Sequence, residues 1–328
     1  MPVATFEPAS SLQDPFHHDV PLPLRLKFFP LGFPVELATN SEAVLAAAEQ
    51  SWGRFQMAYP EAPVSIHLAV TDECDGQMPS RPQFHTHQHV MSIVSDAQNQ
   101  VICDFGRHCA FGWLTARVTE EREFLRLHFL ESAAMSLVVQ AYLAPFHSGL
   151  VTKNGVGIAL CGESLAGKST LSYACARSGW TFIADDGTFL LRNREDRYAV
   201  GNPHILRLRE DAKDLFPELA DRRVALRMNG KWGMEVPTSE LPFSKANGCS
   251  IDHLVFLRRS SGGLASLKTM DPQDALAWLQ QVVLYGPAEG QASQRQAYRR
   301  LLDSGLWELH YSDLDEAVEL LNQLGAKS

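Results

Sequence analysis

Leu24-Arg25-Leu26-Lys27-Phe28-Phe29 opens with apolar and charged positions in alternation, the period of a half-buried strand. Ser41 followed by Glu42-Ala43-Val44-Leu45-Ala46-Ala47-Ala48-Glu49 reads as a capped helix. Further strands are expected at 64–70, 89–94 and 100–104, and residues 124–144 carry apolar positions at helical spacing after a strand-like start. Residues 1–20 are irregular at first. The second half reads differently. A strand-length apolar run at 156–160 is followed by a helix at 171–177, with Gly179 in the C-cap position. An apolar strand follows at 180–184. Residues 189–192 and 198–200 flank Asn193-Arg194-Glu195-Asp196-Arg197 in a hairpin pattern. A buried strand is expected at 254–257, a helix at 271–284, a strand at 307–311 and an amphipathic helix at 313–324. Hairpins mixed with crossovers predict an α/β fold with a mixed sheet. The expected division is an N-terminal α+β domain over 1–135, without a catalytic motif, and a second domain over 136–328.

Between the strand at 156–160 and its helix stands Gly162-Glu163-Ser164-Leu165-Ala166-Gly167-Lys168-Ser169, a match to G-x-x-x-x-G-K-[ST]. Gly162 and Gly167 permit a tight turn and close approach of backbone to phosphate. Loop N–H groups and the positive end of the helix dipole favour a bound anion. Lys168 supplies a point charge to the β- and γ-phosphates of a nucleotide, and the Ser169 hydroxyl is placed to ligate Mg²⁺. Thr170 either contacts an α-phosphate or only starts the helix. A glycine-rich turn with a chance Lys-Ser is the alternative, and the flanking strand and helix weigh against it.

Asp185 follows Lys168 by seventeen residues, in Trp180-Thr181-Phe182-Ile183-Ala184-Asp185-Asp186-Gly187. An apolar strand ending in two carboxylates, placed beside the loop strand, would bring both to the phosphates, because ligands of open α/β sheets sit at the carboxyl ends of strands. Phosphoryl transfer calls for a carboxylate near the metal and often one to orient or deprotonate the attacking hydroxyl. A solvated Asp-Asp-Gly turn is the plainer reading.

These residues resemble the HPr kinase/phosphorylase family and its HPr-kinase-related proteins. That family carries a G-[DE]-S-x-x-G-K-S loop, a helix, and an apolar strand ending Ala-Asp-Asp, matched here by Gly162-Glu163-Ser164 through Lys168-Ser169 and by Ala184-Asp185-Asp186. It also carries a histidine in a turn before the loop strand. Phe146-His147-Ser148-Gly149 places His147 fifteen residues ahead of Gly162. The resemblance implies a mixed-sheet P-loop kinase core of the HPr kinase/PEP carboxykinase type, from about His147 onward. It implies Asp185 as the base toward a substrate serine, Asp186 as a partner of Lys168 and of the metal, and His147 near the transferred phosphate. It also implies homo-oligomers. The HPr-specific signature Glu-x-Arg-Gly followed by Gly-Ile-Ile-Asp is missing: the region reads Gly201-Asn202-Pro203-His204-Ile205-Leu206-Arg207-Leu208-Arg209. HPr as substrate and the reverse phosphorylase activity are therefore not expected to carry over.

Other residues admit two readings each. Arg207 or Arg209 could hold a phosphate bidentately, or simply occupy an exposed strand face. Lys231 is a weaker candidate, better read as a Gly-Lys hairpin turn. Arg258 could reach a nucleotide or be solvated at a strand end. His85-Thr86-His87-Gln88-His89 puts imidazoles on one strand face, where they could meet a metal, but with no supporting carboxylate or cysteine a polar strand face or a loop is the better reading.

The chain has 328 residues, room for two domains with substantial cores, and 45% hydrophobic with 20% charged residues describes a folded chain. A formal net charge of −9 argues against a broad nucleic-acid surface. No secretory pattern and no membrane-length apolar run are visible. The six cysteines form no Cys-x-x-Cys pair, and Cys161 reads as a small apolar filler at the strand end. A cytoplasmic protein is expected. Its reading as an ATP- and Mg²⁺-dependent kinase acting on a hydroxyl of a protein, peptide or small molecule competes with a nucleotide-dependent binding or switch protein. The absence of a guanine-reading Asn-Lys-x-Asp pattern weighs against a GTPase.

Overall fold

The structure is a computed structural model and describes residues 20–71, 78–226, 232–284 and 286–326. Lys231 and its expected hairpin turn, and nearly all of the irregular N-terminal stretch, lie outside these. The chain divides into two compact units. One comprises Met1–Phe28, Pro34–Gly53 and Glu61–Leu137; the other comprises Phe29–Phe33, Arg54–Pro60 and Val138–Ser328.

The first unit is a seven-stranded mixed sheet in the order β1-β2-β3-β7-β6-β5-β4. Its strands are β1 (Leu24–Phe28), β2 (Val35–Thr39), β3 (Val64–Thr71), β4 (Gln83–His87), β5 (Val90–Val94), β6 (Gln100–Asp104) and β7 (Cys109–Thr115). β2, β3 and β7 run parallel, and the others pair antiparallel. Helix α1 (Glu42–Trp52) crosses from β2 to β3, burying Val44, Ala47, Ala48 and Trp52. α2 (Ala116–Glu120) and α3 (Arg122–Leu125) lead through a π-helical stretch (Arg126–Glu131) into α4 (Ser132–Tyr142), within which the division between units falls. The strand-like start expected at 124 is therefore helical. Leu125 and Phe129 are both fully buried at a spacing of four, so tertiary packing selects the helical period there. His85 and His87 lie on β4, whose five residues are all exposed. Among the described residues no three His, Cys, Asp or Glu side chains converge on a metal position, and no helix is long and apolar enough to cross a membrane.

The second unit is also mixed α/β. Its strands before the glycine loop are β8 (Leu143–Phe146), β9 (Gly149–Lys153) and β10 (Val156–Cys161). After α5 (Lys168–Arg177) come β11 (Thr181–Ala184), β12 (Thr188–Leu191), β13 (Tyr198–Gly201), β14 (Ile205–Leu208), the short α6 (Ala212–Leu215), β15 (Ala225–Leu226), β16 (Trp232–Pro237) and β17 (Gly248–Ser250). The remainder is β18 (His253–Arg259), β19 (Ser266–Thr269), α7 (Pro272–Gln280), α8 (Ala288–Arg300), β20 (Gly305–Tyr311) and α9 (Leu314–Gly325). The main sheet is ordered β11-β9-β10-β18-β20-β19, beside a four-stranded sheet β17-β13-β12-β8 and a three-stranded sheet β14-β16-β15. β10, β18 and β20 are parallel, while β9 and β19 run against their neighbours.

Alternating residues of these strands enter two cores. Ile158, Leu160, Val255 and Leu257 pack with α5 and α9, while Ala159, Cys161, Leu254 and Phe256 pack with α7 and α8. A parallel trio covered on both faces needs such continuous apolar runs. Cys161 is fully buried and its thiol is pushed well above the ordinary range by burial, as befits a core filler. α5 ends in a Schellman motif, with the Gly179 amide on the Ala176 carbonyl and the Trp180 amide on the Cys175 carbonyl.

Candidate functional site

The glycine loop joins β10 to α5, and helix geometry begins already at Lys168, earlier than the apolar spacing suggests. Three loop residues hold positive φ: Gly162 at 152°, Leu165 at 76° and Gly167 at 96°. For leucine this left-handed conformation is costly, about 1–2 kcal/mol, and Leu165 is 65% exposed, so no buried contact of its own accounts for it. The Ala166 amide closes a turn on the Glu163 carbonyl at 3.2 Å. Buried Lys168 donates through Nζ to the carbonyls of Gly162 (2.9 Å) and Glu163 (3.1 Å), bracing the two arms of the loop. Ser164 lies exposed at the crown. From the end of β20, Tyr311 Oη donates to the Ala166 carbonyl at 2.8 Å, and a methyl group on Gly167 would collide with that hydroxyl. The loop is held from behind by β20, a contact that no local pattern signals.

The aspartate strand sits elsewhere than expected. β11 pairs with β9, not with the loop strand β10, so a whole strand separates them. β9 opposes both neighbours, hence β11 runs the same way as β10 and both end at the same edge of the sheet. Contact with the loop helix survives: Ser169 Oγ approaches the Asp185 carbonyl at 3.4 Å.

Asp185 and Asp186 are adjacent in sequence and opposite in environment. Asp185 is 4% exposed, and its carboxylate accepts from the Arg207 amide at 2.7 Å. Burial raises its pKa from 3.8 to about 6, although the nearby Arg207 charge and amide act in the opposite sense. Asp186 is 44% exposed and meets His147 Nε2 at 3.1 Å. Lys168 is turned onto the loop carbonyls, and His147 comes from the turn at the start of β9.

One glycine gathers these pieces. A Cβ on Gly149, at the end of the His147 turn, would stand 3.3 Å from the Asp185 carbonyl oxygen and 3.5 Å from that of Lys168, and would strike Ser172 Oγ. His147, the start of α5 and the end of β11 therefore meet around a single position that has no room for a side chain. Thr170 sits in the first turn of α5 and lines a neighbouring cavity.

No protein-family model and no curated protein matches the chain. Among solved structures, the Hpr(Ser) kinase/phosphatase from Coxiella burnetii is similar over 55% of this chain and 96% of its own, at 12% identity and a TM-score of 0.29. At that score the likeness is distant and assigns no residue a role.

The remaining arginines separate. Arg207 contributes its amide to Asp185 while its guanidinium pairs with Glu235 at 2.8 Å. Arg258 is taken by Glu308 at 2.8 Å. Arg259, one residue on and facing the opposite side of β18, lines the cavity beside Thr170. The Ser169 hydroxyl and the exposed Asp186 carboxylate are the oxygen donors that could hold Mg²⁺. These are hard oxygen ligands, and their small number suits an ion that keeps waters and phosphate oxygens as its other ligands.

Proposed function

We propose that the chain is an ATP- and Mg²⁺-dependent phosphotransferase that moves the γ-phosphoryl group to a hydroxyl, most simply a serine-type hydroxyl, of a protein, peptide or small molecule. The observation that carries this reading is the convergence at Gly149 of the loop helix, the Asp185 strand end and the His147 turn. A binding loop alone needs no carboxylate beside it; group transfer does.

In this reading the amides of 162–169 and the first turn of α5 cradle the phosphates, and Lys168 exchanges a loop carbonyl for a phosphate oxygen. Asp185, with a pKa of about 6, is mostly ionised at neutral pH yet basic enough to accept the proton of the attacking hydroxyl. The new bond joins that oxygen to the γ-phosphorus as the bridging bond to ADP breaks. His147 and Asp186 face solvent where the acceptor would enter. Ser169 and Asp186 would hold Mg²⁺, which when bound neutralises charge on the phosphate oxygens.

The test incubates the full chain with γ-labelled ATP, Mg²⁺ and extract from its own cell, then identifies the labelled species. Asp185→Asn should keep ATP affinity and cut transfer about a hundredfold. Equal loss of binding and rate would make Asp185 part of the nucleotide site and not the base. ATP binding with no labelled product in any fraction would favour a nucleotide-dependent switch.

A further inference from the structure

Several cations of the second unit have carboxylates of their own: Arg177 pairs with Glu218, Arg207 with Glu235 and Arg258 with Glu308. Arg54 and Lys245 are exposed and meet no carboxylate among the described residues, in a chain whose formal net charge is −9. They gather instead around His204. The Phe55 ring lies 4.7 Å from the His204 ring at 88°, which brings the adjacent Arg54 to the imidazole. Thr238 joins the other two: its amide donates to the His204 carbonyl at 3.0 Å, and its carbonyl accepts from Lys245 Nζ at 3.2 Å. Burial, and then the charges of Arg54 and Lys245, hold the His204 imidazole below its usual range, and both of those charges are positive. Repulsion within such a group is relieved by a bound anion.

The cluster stands at a short remove from Asp185. The Phe182 amide donates to the Ser244 carbonyl and the Ala246 amide to the Phe182 carbonyl, so Lys245 flanks β11 at Phe182, three residues before Asp185. His204 likewise precedes by three residues Arg207, whose amide holds the Asp185 carboxylate. Three residues of extended chain span about 10 Å. Thr188 opposes Gly201, which brings Asn202 beside Gly187, next to Asp186. We infer that Arg54, His204 and Lys245 form a docking site for an acidic peptide segment of the acceptor, one that carries carboxylates two to four residues from its serine-type hydroxyl. The inference rests on the phosphotransfer reading above and adds the acceptor's chemistry to it. An extended peptide has the reach: with its hydroxyl at Asp185, side chains two to four positions away arrive about 7–13 Å off. An ammonium and a guanidinium take carboxylate oxygens in charge-assisted hydrogen bonds, and a neutral imidazole supplies one further donor. Because Arg54 and Lys245 are exposed, their pull acts on selection and encounter more than on raw affinity.

The test uses the full chain and two fluorophore-labelled serine peptides, in which the positions two to four residues from the serine on both sides are all glutamate or all lysine. Fluorescence anisotropy reads binding, and γ-labelled ATP with Mg²⁺ reads transfer. The glutamate peptide should bind at least about tenfold more tightly, the order that a few exposed ion pairs supply, and should lose this advantage at high salt. A chain of net charge −9 would otherwise favour the lysine peptide. Arg54→Gln combined with Lys245→Gln should bring the two peptides to within about twofold of each other and leave ATP affinity within about twofold of wild type. Arg54→Glu combined with Lys245→Glu should reverse the preference. Equal binding of the two peptides by the wild-type chain, or a glutamate preference that survives both double variants, overturns the docking site. A glutamate preference in binding with no transfer to any serine counts against the phosphotransferase reading alone and leaves the acidic docking site in place.

Discussion

Each unit contains three adjacent parallel strands, β2-β3-β7 in the first and β10-β18-β20 in the second, and in each a helix follows the first strand of the trio. The two connections differ. From β2 to α1 the chain spends two residues, Asn40 and Ser41, and its own side chains answer the polar groups there. Asn40 Oδ1 accepts from the Val70 amide at 2.7 Å, Asn40 Nδ2 donates to the Val70 carbonyl at 2.9 Å, and the Ser41 amide donates to Thr39 Oγ1 at 3.3 Å. The end of β3 is stitched to the end of β2. From β10 to α5 the chain spends six residues, 162–167, three of them at positive φ, and braces them with Lys168 and Tyr311. The same topology yields a sutured strand end in one case and a braced glycine loop in the other. Fold alone did not decide this; the length and chemistry of one connection did.

The comparison breaks most sharply at Lys168. Lys168→Ala should abolish measurable ATP binding and transfer, at least about a hundredfold, because it removes both the cation and the brace across the loop. Intact turnover in that variant would remove the loop from the chemistry. Next comes pH. Transfer by the free enzyme should rise with pH and level off above about 6 as Asp185 loses its proton. The stability sign is opposite to that of a salt-bridged carboxylate. Between about 3.8 and 6 the folded state holds a proton that the unfolded chain releases, so stability falls as pH rises and the penalty is complete above 6. Asp185→Asn should therefore melt no lower than the wild type at neutral pH, with its relative advantage fading below pH 4; a marked loss of melting temperature at pH 7 would show that the ionised carboxylate is structurally needed. Asn40→Ala should cost about 1 kcal/mol of stability and leave nucleotide affinity unchanged. A change in affinity would contradict the assignment of the chemistry to the second trio alone. The smallest effect belongs to Leu165→Gly, expected to relieve about 1 kcal/mol of backbone strain with ATP affinity within about twofold. Denaturant titration measures both stability shifts.

Much of this arrangement is legible along the chain because the pieces are local. A strand, six loop residues and a helix are consecutive, and the period of the apolar positions around them is unambiguous. The hairpin β12–β13, the amphipathic helix α9 and the buried β18 are read the same way. The order of strands is not. The short link from α5 to β11 suggests that β11 lies beside β10, yet β9 holds that place. A signal for it exists: Asn154-Gly155, with φ of 53° and 84°, forms the two-residue turn that folds β9 back on β10, and Asn-Gly is the strongest short hairpin mark. The grip of the Arg207 amide on Asp185, the pairing of His147 with Asp186, and the support of Ala166 by Tyr311 join residues 22, 39 and 145 positions apart. Periodicity and motif spacing carry no term for such contacts.

Gly149 has a consequence for transplantation. Its neighbours at van der Waals range are the main-chain oxygens of Asp185 and Lys168, which cannot rotate aside. The octapeptide 162–169 moved onto another strand–helix junction would take the proposed phosphate loop with it and leave the proposed proton acceptor behind. The proposed reactivity depends on how three distant stretches close on one bare backbone position, and it would have to be inherited or engineered as a unit.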